Sequence, residues 1–181
     1  NFKGKKLLIP NDNLTRPLRD TVKESIFNIL EHSNLIKIQL YDSCILDLFS
    51  GIGSFGLECI SRYSKHVTFF ENHSAALKIL KKNINNLNCE SKTKIINKDV
   101  FILKNLNFND KNFEFIFLDP PFKEQNIKIL LKIIADKKIL KKNGIIIIHR
   151  EKKAFDTFPE NFKILIKKNY GRSEIFFGKF D

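Results

Sequence analysis

Two short stretches hold residue types that could do chemistry. The sharper is Asp119-Pro120-Pro121-Phe122. Successive prolines fix φ twice and remove two N–H donors. The turn is left offering acceptors, the Asp119 carboxylate and the Pro120 carbonyl, with the flat face of Phe122 beside them. Acceptors next to an aromatic plate suit a base or amide with an exocyclic amino group. Such an amine is a poor nucleophile, because its lone pair is delocalised. Two acceptors on its hydrogens turn it out of conjugation, aim the lone pair at an electrophile and stabilise the positive charge growing on nitrogen. No strong general base is needed, since the proton can leave afterwards. Phe122 would stack on a base displaced from its helix, an interaction worth roughly 1–3 kcal/mol. The plainer reading is a strand-terminating turn.

The second stretch is Cys44-Ile-Leu-Asp47-Leu-Phe-Ser-Gly51-Ile-Gly53-Ser-Phe-Gly56, an apolar run that ends on a carboxylate and breaks into G-x-G-x-x-G. It reads as strand, tight turn, helix. Glycine lets backbone N–H groups approach a ligand where a Cβ would block them. Taken alone, the spacing fits NAD, FAD or S-adenosylmethionine sites, and also a merely tight corner.

The elements that must position these stretches alternate between strand and helix. Thr21-Val-Lys-Glu24 has the form of a capping box, and Val22, Ile26, Ile29 and Leu30 continue at helical spacing to about Glu31. Strands are expected at 44–49, 66–71, 93–97, 113–118 and 145–148, with helices from about Ser54, Ser74 and Ile127. The four isoleucines 145–148 lack polar alternation, the mark of a strand buried on both faces of a parallel sheet. The segments 162–168 and 174–180, joined through Tyr170-Gly171-Arg172-Ser173, read as an antiparallel hairpin. The fold class expected is α/β, a Rossmann-like sheet of the kind found in S-adenosylmethionine-dependent methyltransferases, closed by that hairpin. Residues 20–181 form one domain behind a basic N-terminal extension, 1–19.

Ligands of open α/β sheets lie beyond the carboxyl ends of the strands. Asp47, Glu71, Asp99 and Asp119 all fall at or just after such ends. Four carboxylates on one rim repel unless a ligand brings donors or positive charge. S-adenosylmethionine has a sulfonium, an ammonium, two ribose hydroxyls and an adenine amine. Glu71 stands 20 residues after Gly51, the distance at which an acid meets ribose hydroxyls. Its plainer reading is a helix N-cap. Asp99 is placed to accept from the adenine amine, or is a solvated turn. Asp47 faces the ammonium, or only braces the glycine turn.

The 181 residues carry a net charge of +12, with 43% hydrophobic and 29% charged residues. That balance favours a polyanionic partner, although the abundance of Lys, Asn and Ile also fits A+T-rich codons. No run approaches the roughly 18 apolar residues of a membrane span. Lys3, Lys5 and Lys6 have no long apolar core behind them, unlike a secretory leader. Cys44, Cys59 and Cys89 form no C-x-x-C and no ligand pattern with the four histidines. Free thiols in a reducing cytoplasm are expected, with no metal and no membrane association.

Together these residues resemble the bacterial 16S ribosomal RNA guanine-N2 methyltransferases of the small-subunit methyltransferase D type. The glycine loop from Asp47 and the Asp119–Phe122 turn are shared with many amino-methyltransferases. More specific are Lys3-Gly-Lys-Lys-Leu7, Thr15-Arg16-Pro17, the run Val22–Leu30 and Tyr170-Gly171 before a strand. The resemblance implies that Gly51, Gly53, Glu71 and Asp99 bind S-adenosylmethionine and that Asp119, Pro120, Pro121 and Phe122 hold the guanine amine, and Asp47 is expected beside them on the donor. It implies ribosomal RNA in a partly assembled small subunit as substrate, with Thr15 and Arg16 among its contacts. A cytoplasmic monomer is expected. Leu18-Arg19 replaces a Pro-Thr-like pair, Lys23 stands where Arg is common, and His149-Arg150 stands where the family tends to carry Glu. No role is assigned to His149.

An adenine-N6 methyltransferase acting on DNA or RNA shares the Asp-Pro-Pro-Phe motif, but the chain has no room for the target-recognition insert usual in the DNA enzymes. A glutamine or small-amine methyltransferase leaves the basic charge unexplained. An NAD dehydrogenase leaves Asp119–Phe122 unexplained. A non-catalytic RNA-binding assembly factor on the same fold would keep its role without Asp119.

Overall fold

The apolar runs pair into one sheet. The structure, a computed structural model, describes residues 2, 6–9, 18–108, 113–121, 123–154 and 156–181. In chain order the strands are β1 (Cys44–Leu48), β2 (His66–Phe70), β3 (Thr93–Ile96), β4 (Phe113–Leu118), β5 (Leu140–Glu151), β6 (Phe162–Tyr170) and β7 (Ser173–Phe180). Their spatial order is β3-β2-β1-β4-β5-β7-β6. The first five are parallel, while β7 is antiparallel to both β5 and β6. The expected hairpin is therefore present, with its second strand inserted beside β5.

The helices are α1 (Asp20–His32), α2 (Ser54–Ser61), α3 (Ser74–Asn86) and α4 (Ile127–Asp136). Side-chain alternation along the strands splits the core into two layers. Ile45, Phe69, Phe115, Phe117, Ile145 and Ile147 pack with α1, α2 and α3. Leu46, Leu48, Ile116, Leu118, Ile146 and Ile148 pack with α4 and a 3₁₀ turn at Val100–Asn105. Burial on both faces is why the isoleucine run lacks polar alternation.

Two local expectations are corrected. The helix α1 starts at Asp20 with Arg19 as N-cap and no side-chain cap, so Thr21 already lies inside it and closes no capping box with Glu24. The strand β5 runs well past Ile148, because Glu151 pairs with Ser173 of β7. The described part of the leader packs on the domain. The Phe2 N–H donates to Ser61 Oγ at 3.0 Å and the Leu8 N–H to Asn83 Oδ1 at 2.8 Å.

Candidate active site

The chain reverses its direction of travel across the sheet between β1 and β4, and such a switch point opens a crevice at the strand ends. Register fills that crevice with polar groups. Asp47 pairs with Phe69 on one side and Phe117 on the other. Asp47, Glu71 and Asp119 therefore continue the sheet face that packs on α1, α2 and α3. They border a cavity of about 720 Å³, inside the roughly 300–1,000 Å³ range of small-molecule sites. Gly51, Asp99, Pro120 and Pro121 line the same cavity. Phe55, sandwiched between Phe27 and Phe117 with ring centroids 5.3 and 4.1 Å away, and Phe117 itself give it a stacked aromatic wall.

The three glycines divide the work. Gly51, at φ +55°, donates its N–H to Glu71 Oε2 at 2.6 Å. Gly53 is not on the wall; at φ +85° it precedes α2, its N–H donates to Ser50 O at 2.8 Å, and an added Cβ would meet Leu80 at 2.5 Å. Gly56 lets α2 close on β2, since a Cβ there would collide with Phe69 and Val67. Its N–H donates to Asp47 Oδ2 at 3.0 Å.

Each carboxylate accepts one or two hydrogen bonds from the protein and leaves lone pairs over. Glu71 Oε1 accepts from the His73 N–H at 2.7 Å; His73 is the N-cap of α3, so Glu71 braces the entry to the helix without capping it. The same side chain ties the α3 entry to the glycine turn. Asp99 caps the 3₁₀ turn through Phe101 N at 2.8 Å and accepts from Asn72 Nδ2 at 3.4 Å. Asp47 is 1% exposed, and its Oδ1 has no hydrogen-bond partner among the described residues. Burial pushes its carboxyl well above the ordinary range; the Gly56 N–H opposes this, and the Asp119 and Glu71 charges add to it. An orphaned buried oxygen beside a fixed pair of acidic neighbours fits a cationic ligand that supplies donors. S-adenosylmethionine meets that description.

Across the cavity, Asp119 Oδ1 lies 2.7 Å from His149 Nδ1. Arg150, 2% exposed, donates to the Pro121 carbonyl at 3.3 Å, to the Glu124 carbonyl at 2.7 Å and to both oxygens of Asp156. Thr15, Arg16 and Phe122 lie outside the described residues. Sequence reasoning missed His149, Arg150, Asn72 and Phe49. The two on β5 were findable by counting alternation past Ile148. Phe49, on the wall with φ +59°, carried no local signal.

This sheet, with its antiparallel final strands and its ligand crevice at the β1–β4 switch, places the chain in the class of S-adenosylmethionine-dependent methyltransferase folds. The model of a family described as conserved hypothetical protein 95 matches residues 1–179. The Ribosomal RNA small subunit methyltransferase D of Haemophilus influenzae is 34% identical over 171 residues, spanning 94% of this chain and 86% of the relative. The solved structure of yhhF from Escherichia coli is 26% identical and superposes with a TM-score of 0.80, covering 98% of this chain and 93% of that one. An RNA methyltransferase from Salinibacter ruber, solved with S-adenosyl-L-homocysteine, shares the fold alone, at 11% identity and a TM-score of 0.66 over 90% and 92% of the two chains. The chain belongs to the small-subunit methyltransferase D family.

Proposed function

We propose that the chain methylates the exocyclic N2 of a guanine in 16S ribosomal RNA of the small subunit, with S-adenosylmethionine as donor. The observation that carries this reading is the pairing, across one cavity, of a carboxylate-lined glycine bend with the Asp119-Pro120-Pro121 turn. Relatives over nearly the whole chain are named ribosomal RNA methyltransferases, which supports an RNA substrate.

Asp47, Gly51, Glu71 and Asp99 hold the donor, and Gly53 shapes the turn that presents Gly51. When bound, the donor supplies an electrophilic methyl carbon. Asp119 and the Pro120 carbonyl accept the two amine hydrogens, orient the nitrogen lone pair and stabilise the charge that develops there. Pro121 stiffens that grip, and Phe122 stacks on the extruded base. The proton departs after transfer. The basic leader 1–19, with Thr15 and Arg16, contacts RNA in front of a single methyltransferase domain, 20–181. Lys152, Lys153 and Arg172 frame a second concavity of about 330 Å³, which shares Glu151 and Arg172 with the first. This cationic surface gives RNA phosphates a path to the cavity mouth. The protein acts as a monomer in the cytoplasm, on a partly assembled subunit.

A radiolabelled-methyl assay tests this. Small subunits from cells lacking the enzyme are compared with naked ribosomal RNA and DNA, followed by nucleoside mass analysis. N2-methylguanosine from subunits is expected, with none from Asp119→Ala. Label in N6-methyladenosine, or only in DNA, overturns the guanine assignment. An Asp119→Ala protein that keeps its cellular role points to a non-catalytic assembly factor.

A further inference from the structure

The turn after β4 must be held to a fraction of an ångström if its acceptors are to orient an amine, yet its prolines cannot be pinned through their own N–H groups. The neighbouring strand supplies the pins. Leu118 pairs with Ile148 in parallel register, so Asp119 and His149 sit side by side one step further on. Both continue the sheet face of Phe117 and Ile147, whereas Arg150 continues the opposite face, with Ile148. A carboxylate accepts and cannot donate, so the 2.7 Å contact places the proton on His149 Nδ1 and commits Asp119 Oδ1 to it. The second oxygen of Asp119 is left for the substrate. The far side of the ring, Nε2, is buried without a partner among the described residues, so no competing bond is seen to pull the ring away. On the other face, Arg150 spans the Pro121 and Glu124 carbonyls, and Asp156 neutralises its buried charge.

We propose that the consecutive residues His149 and Arg150 are positioning residues for the substrate grip: the end of β5 clamps the Asp119–Pro121 turn at both ends, His149 through Asp119 Oδ1 and Arg150 through the carbonyls of Pro121 and Glu124. This rests on the reading of Asp119 as an acceptor for the substrate amine. It assigns a role to the dipeptide at which the chain departs from its family's pattern.

The decisive comparison is His149→Asn against His149→Gln in the full chain. An Asn side-chain nitrogen falls where Nδ1 stands; that of Gln falls where Nε2 stands and misses Asp119. Both are small polar changes, and His149→Leu removes the donor altogether. A misplacement of about 1 Å costs on the order of 100-fold, so Gln and Leu are expected to lower kcat about 10–100-fold while Asn recovers most of it. Affinity for S-adenosylhomocysteine, by calorimetry, is expected to stay within about twofold of the parent in all three, since the glycine bend is untouched. Arg150→Lys keeps the charge toward Asp156 but cannot span two carbonyls, and the same split is expected. Asn and Gln variants of equal kcat, whether fast or slow, overturn the His149 half. Parental kcat in Arg150→Lys overturns the Arg150 half. Product affinity falling in step with kcat overturns both. Asp119→Ala separates the two ideas: activity surviving without Asp119 defeats the underlying reading, whereas an inactive Asp119→Ala beside equal Asn and Gln variants defeats the clamp alone.

Discussion

Replacing Glu71 by Gln tests the junction between the glycine bend and α3. The carboxylate is 8% exposed and accepts from Gly51 N at 2.6 Å and His73 N at 2.7 Å, one N–H on each oxygen. Gln keeps the shape but has a single acceptor. One N–H keeps its bond, and the other is left facing an NH₂ group in a nearly dry site. A hydrogen bond to a charged group contributes about 1.5–3 kcal/mol, so Glu71→Gln is expected to lose about that much stability. At about 2–4 °C per kcal/mol for a domain of this size, Tm falls by roughly 3–12 °C. The same change removes charge from the side chain proposed to take the ribose hydroxyls. Losing one charge-assisted bond there weakens S-adenosylhomocysteine binding about 10–100-fold. Urea unfolding gives the first number and calorimetry the second. A variant within about 0.5 kcal/mol of the parent, with unchanged product affinity, would show that neither oxygen matters as described. A stability loss with intact affinity would reduce Glu71 to a brace between the glycine bend and the entry to α3.

Gly56→Val is expected to lose roughly 1–3 kcal/mol by overpacking against Phe69 and Val67, and to lose product affinity as α2 lifts off β2; thermal melts and calorimetry check both. For Asp47, burial raises the folded carboxyl above its unfolded value of about 3.9. Its contribution to stability is full below that value and is lost as pH climbs toward and through the raised folded one. Asp47→Asn does not titrate, so its urea midpoint should gain on the parent's as pH rises from about 4; curves that run parallel from pH 4 to 8 would refute the assignment. Reversing Lys152, Lys153 and Arg172 together to Glu should raise KM for RNA in a salt-dependent way while kcat holds, and a salt-independent KM would remove the cationic path.

The strands that were easy to read are those whose burial is settled by two neighbours. Ile145–Ile148 could be read as a strand from composition alone, because both faces meet helices. Where pairing, not composition, makes the strand, the reading stopped short. His149, Arg150 and Glu151 are polar, and only their ladder with β7 makes them β5. The start of α1 was misread for a related reason. Thr21 and Glu24 carry the letters of a capping box, but the chain enters the helix two residues earlier, and Asp20 takes the first-turn position that suits a carboxylate. The carboxylates at the strand ends were legible as a set, because each follows an apolar run. Their individual partners were not, since Gly51 N and His73 N reach Glu71 only after β1, β2 and α3 have docked.

Glycine and proline leave the same kind of gap in a sequence. At Gly56 the missing Cβ shows that something comes close, without saying that it is Phe69 and Val67. At Pro120-Pro121 the missing N–H groups show that something else must hold the turn, without saying what. For Gly56 the answer lies on β2, the next strand along the chain, and for the prolines on β5, adjacent in register to β4. The grip and the bend differ in one respect. The bend is fixed from within its own β1–α2–β2 unit, by Asp47 and Glu71, which lie in or next to it. The grip is fixed from outside, by β5, and β5 is itself held along its other edge by β7. The C-terminal hairpin thus bears on the turn that faces the substrate through the one strand whose polar end the isoleucine run concealed.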